Sequence, residues 1–161
     1  MRDAELLEKL ERIQGLLGRS FVRYIADVAS PFTEDDWDRR ALEALASWSA
    51  DTARSEEALN ALLLEEKVHV APPSWPIHFA QYNLIRPTHV LAMVMRDMDG
   101  HLAQLREEAA GLAQWPEEAR LVTGMLEKEE EHLRAIEALE RDRPKPPPKP
   151  GVKKGVSANF W

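Results

Sequence analysis

The sequence predicts an all-α fold, a four-helix bundle with one long crossover between helices two and three. Three observations predict it. Apolar residues recur at spacings of three and four along most of the chain up to Leu139. Pro31, Pro87, Pro116 and Pro144 fall where those stripes stop or restart. Finally, about 20 residues, from Lys67 to Arg86, separate the second stripe from the third. At ~3.3 Å per extended residue they can run the full length of a ~40 Å helix, which lets the flanking helices lie parallel.

The first helix carries Leu6, Leu10, Ile13, Leu17, Phe21, Tyr24 and Val28 on one face, and Pro31 ends it. Thr33 is placed to cap the second helix, with Glu34 and Asp35 in the positive end of its dipole. That helix runs from about Glu34 to about Glu66 along Leu42, Leu45, Trp48, Thr52, Glu56, Leu59 and Leu63. Pro72, Pro73 and Pro76 forbid a helix in the crossover and favour an extended path. The third helix starts near Pro87, follows Leu91, Met98, Leu102 and Leu105, and fades at Gly111. The fourth opens at Pro116 and carries Val122, Met125, Glu129, His132, Ile136 and Leu139. Short links join helices one and two, and helices three and four, into hairpins. Residues 1–143 form the bundle, and 144–161 are a proline- and lysine-rich tail read as disordered.

Charge divides the chain in the same place. Residues 1–143 hold 28 acidic against 17 basic side chains, a charge of −11, and the remaining four lysines lie after Pro144. An acidic body offers nucleic acid no basic face. Without cysteine there are no disulfides, zinc thiolates or cysteine nucleophiles. No apolar run reaches the ~20 residues of a membrane span, and the N-terminus does not read as a signal peptide, so the expected compartment is the cytoplasm.

The sharpest chemical signal is Glu129-Glu-Glu-His132. On a helix this spacing puts both side chains on one face, one turn apart, where they can share a metal ion. Both fall on the inward stripe, and a buried carboxylate needs compensation. A metal, a proton shared between the two, or an arginine from another helix would supply it. The competing reading is a solvated acidic face with Lys128 and Arg134 beside it. Trp48 and Tyr24 read as core aromatics that each need one polar partner. Met93, Met95 and Met98 read as core filler, and His78 as a packing residue of the crossover. Asp51 and Arg54 read as a surface pair.

A crossover bundle with Glu-x-x-His on its fourth helix resembles the ferritin-like superfamily, which includes rubrerythrins, bacterioferritins and carboxylate-bridged di-iron enzymes. The segment Leu17–Pro31, together with the aromatic and proline-rich crossover, is similar to bacterial ferritin-like proteins. The resemblance spans roughly residues 5–140 and implies iron or manganese as cofactor. Active members add a second Glu-x-x-His on helix two and a glutamate on each of helices one and three. Here Asp51 and Arg54 have that second spacing, but arginine is not a useful ligand. Helix one offers Ser20, Tyr24 and Asp27, and helix three Met95, Met98 and His101. Glu129 and His132 match the pattern, and Glu56 is a third candidate ligand.

The expected function is therefore a binding or structural protein with an incomplete di-metal site. The alternative is a di-iron or di-manganese oxidoreductase of the ferroxidase or peroxidase type. No catalytic residue is assigned. Expected partners are a second copy of the chain in a homodimer, and a protein docked by the terminal Phe160-Trp161 of the tail.

Overall fold

The structure, a computed structural model, describes residues 1–145. They are all-helical, with no strand among them. Five α-helices form: α1 (Ala4–Gly18), α2 (Phe21–Asp27), α3 (Asp36–Glu65), α4 (Pro87–Ala110) and α5 (Pro116–Arg141). A 3-10 turn, Ile77–Tyr82, lies in the segment between α3 and α4. The tail's terminal aromatics and most of its lysines lie outside the described residues, and Pro144 and Lys145 are exposed.

Each helix starts and stops for a local reason. Asp3 caps α1 by accepting from the Glu5 N–H at 2.8 Å. The periodicity predicts one helix from Leu6 to Val28, but the chain breaks at Arg19–Ser20. Ser20 is extended and accepts from the Arg23 N–H at 3.2 Å, so it caps a second helix, α2. The stripe continues across the break because α2 turns Phe21, Val22, Tyr24 and Ile25 into the same core. Periodicity cannot detect such a joint.

Asp35, rather than Thr33, caps α3 by accepting from the Asp38 N–H at 2.8 Å. At its other end Lys67 is left-handed (φ 62°), and the Val68 N–H returns to the Leu63 carbonyl at 2.9 Å. This is the closing hydrogen bond of a Schellman motif, built here without glycine. Pro87 and Pro116 open α4 and α5 as expected.

One apolar cluster joins all five helices. α3 packs against α1, α2 and α5, and α4 against α5. The segment between α3 and α4 is fixed to α2 by aromatics: Phe79 lies 4.8 Å from Phe21 and 5.4 Å from Tyr24, and Trp75 lies edge-on to Tyr24. Tyr24 finds its polar partner there, donating to Asn83 Oδ1 at 2.6 Å. The 3-10 turn places Phe79 inward, which an extended path alone did not predict.

Asp38 ties the start of α3 to the start of α4. Its carboxylate is fully buried and accepts from Thr88 Oγ1 at 2.6 Å, Arg86 Nε at 2.7 Å and the Glu34 N–H at 3.0 Å. Burial alone would raise its pKa, but these donors outweigh it and hold the group at about 2. The folded pKa is depressed, so this stability is complete above the ordinary value near 4 and is lost as pH falls toward 2. Asp38→Ala should cost ~1–3 kcal/mol at pH 7, since it strands the Thr88 hydroxyl and removes the most buried of the three carboxylates that Arg86 meets. Chemical denaturation across pH 2–7 checks this: the variant should show a shallower acid slope than the wild type.

Candidate functional site

The centre of the molecule holds a polar clasp between α3 and α5. On α3, Trp48, Asp51 and Thr52 are spaced one turn apart and so share a face. On α5, Glu129 and His132 do the same. Glu129 is only 1% exposed, and its two oxygens are both engaged. Trp48 Nε1 donates to Oε2 at 2.6 Å, and Thr52 Oγ1 lies 2.5 Å from Oε1. His132 is half-buried, stacks on Trp48 with the rings 9° from parallel, and places Nε2 2.6 Å from Asp51 Oδ2.

Compensation for the buried carboxylate thus comes from an indole and a hydroxyl, not from the arginine or shared proton that the sequence suggests. Burial pushes the Glu129 carboxyl pKa up, and the pull of Thr52, Trp48 and His132 does not restore it. The hydroxyl of Thr52 supports a neutral Glu129. It also lies 3.0 Å from the Trp48 carbonyl, and its single proton cannot serve both acceptors. With Glu129 protonated, its O–H donates to Thr52, Thr52 donates to the Trp48 carbonyl, and every group is satisfied.

The Asp51 carboxyl is held below its ordinary range. The hydrogen bond to His132 is the largest cause, burial opposes it, and Arg54 adds to it. Asp51 therefore has two partners, the expected Arg54 and, across the helix interface, His132.

Glu56 belongs to a different cluster. Gln14 Nε2 of α1 donates to its Oε1 at 3.1 Å, and Arg23 of α2 donates to Oε2. Gly18 makes room for it, since a Cβ there would come within 2.7 Å of Oε1. The arginine from a neighbouring helix exists, but it serves Glu56 rather than Glu129.

Of the three candidate ligands, the structure places Glu129 and His132 on one face and Glu56 with Arg23. Among the described residues no group of three or more His, Asp or Glu side chains is gathered to hold a metal ion. A di-iron or di-manganese centre does not fit this donor set. A guanidinium on Glu56 repels a cation, and both oxygens of Glu129 are already hydrogen-bonded. Trp48, Thr52, Gln14 and Arg23 are the partners the sequence reading missed. The matching one-turn spacings of residues 48, 52 and 129, 132 were the available signal, but helix pairing was needed to use it.

Compared with models of protein families, with curated proteins and with solved structures, the chain matches none.

Two substitutions separate the protonation states. Thr52→Val should cost ~1–3 kcal/mol by removing a buried partner. Glu129→Gln, which mimics a protonated glutamate, should stay within ~1 kcal/mol of the wild type at pH 7. A raised folded pKa means that wild-type stability falls as pH rises from the ordinary glutamate value, ~4.3, through the raised one. Glu129→Gln should lose that slope. Stability measured from pH 4 to 8 decides, and a Gln variant as impaired as Thr52→Val would show that the wild-type group is ionised.

Proposed function

We propose that this chain is a ferritin-like helical bundle with one crossover, acting as a non-catalytic binding or structural protein. One observation carries the reading: the position where the superfamily resemblance implies a metal ligand, Glu129, is satisfied by Trp48 and Thr52. In this reading Glu129 and His132 join α3 to α5, and Glu56 joins α3 to α1 and α2. The segment from Glu66 to Arg86 serves as the crossover, anchored through Phe79 and Trp75. No described helix is long and apolar enough to cross a membrane.

The test is metal loading. Purified full-length protein incubated with ferrous or manganous ion and then desalted should retain substoichiometric metal, and a chelator should leave its melting temperature unchanged. His132→Ala should lower stability by ~1–3 kcal/mol, equally with and without added metal. Retention of about two ions per chain with an oxygen-dependent absorbance change would replace this reading with the di-metal oxidoreductase.

A further inference from the structure

A cleft lies away from the clasp, between the α1–α2 joint, the 3-10 turn and α4. It measures about 590 Å³, within the range of small-molecule sites. Three aromatic rings line it: Phe21 and Phe79 are buried, and Tyr82 is half-buried with its ring 5.1 Å from Phe21. Two arginines, Arg19 and Arg96, and one acid, Asp97, also line it.

Three residues of α4 shape what the cleft could hold. Arg96, exposed on α4, reaches the cleft without an ion-pair partner among the described residues. His101 lines the cleft, and its Nε2, closed off from solvent, has no hydrogen-bond partner among the described residues. Gly100 stands mid-helix on the cleft wall, where glycine weakens a helix, and a Cβ there would meet nothing within 4 Å.

We propose that this cleft is a binding site for a small aromatic monocarboxylate. The ring system would lie against Tyr82 and the small exposed parts of Phe21 and Phe79, and the carboxylate would meet Arg96 and Arg19. Two guanidiniums against the single carboxylate of Asp97 leave one net positive charge, which matches a monoanion better than a phosphate dianion. Aromatic walls with few convergent polar groups are the usual make-up of such sites. The inference goes beyond the proposed function and does not depend on the Glu129 clasp, so metal content and ligand binding can fail separately.

The experiment is a titration of the ¹⁵N-labelled full-length chain with 2-naphthylacetate and, separately, with uncharged 2-naphthylacetamide, followed by amide shifts. The acid should bind saturably, with shifts centred on residues 19–21 and 96–104, and at least fivefold more tightly than the amide. Arg96→Gln should weaken the acid at least fivefold and leave the amide unchanged, whereas Arg106→Gln, one face away on the same helix, should change neither. Gly100→Leu projects a side chain into open space and favours the helix, so the fold should persist while both probes lose binding. Non-saturable shifts, equal affinity for acid and amide, equal losses from Arg96→Gln and Arg106→Gln, or unimpaired binding to a folded Gly100→Leu variant would each overturn the proposal.

Discussion

The structure depends on one constraint: a glutamate buried between α3 and α5 must be matched by groups that the packing itself delivers. Removing a carboxylate from water without compensation costs several kcal/mol even after relaxation. Trp48 and Thr52 meet that cost only if α3 and α5 hold a fixed axial register and a fixed rotation. A slip of either helix by one residue would turn the indole and hydroxyl away from Glu129. The clasp is therefore a registration device as well as a stabilising contact, and His132 on Asp51 repeats it one turn along.

Three buried acids meet the same problem in three ways. Glu129, mid-helix, has neutral hydrogen-bond partners and a pKa raised by burial. Asp38, at the entry to α3, accepts from two side chains and from backbone N–H groups, which stabilise the charged form against burial. Glu56 takes a guanidinium from α2, just past the joint, and an amide from α1. The distribution follows from position. Helix starts offer free N–H groups, and a joint between helices gives a long arginine a path to a buried acid, but mid-helix faces offer only side chains. Each acid also ties together elements distant in sequence: α3 to α5, α3 to α4, and α3 to α1 and α2. α3, 30 residues long, is the common member and packs against each of the other four helices.

The break between α1 and α2 links this framework to the cleft. If the first helix ran unbroken, Arg23 and Phe21 would point elsewhere. Because Ser20 restarts the helix, Arg23 reaches Glu56 on one side while Phe21 meets Phe79 and Tyr82 on the other. The polar joint and the aromatic lining of the cleft are thus two consequences of one capping serine.

The sequence by itself determined the helical class, the prolines that open α4 and α5, and the inward placement of Leu10, Leu45, Trp48, Leu102 and Ile136. These follow from periodicity and local backbone chemistry, which act within about one or two turns of helix. It also marked Glu129 as a buried acid in need of a partner, because Met125 and Ile136 share its stripe. It missed the joint at Ser20, because two helices that share a core show one continuous stripe. The partners of the acids were decided by tertiary structure alone. Trp48 lies 81 residues from Glu129, and Arg23 lies 33 from Glu56. No local pattern ranks such distant donors, because which one reaches a buried carboxylate depends on how whole helices are rotated and aligned against each other.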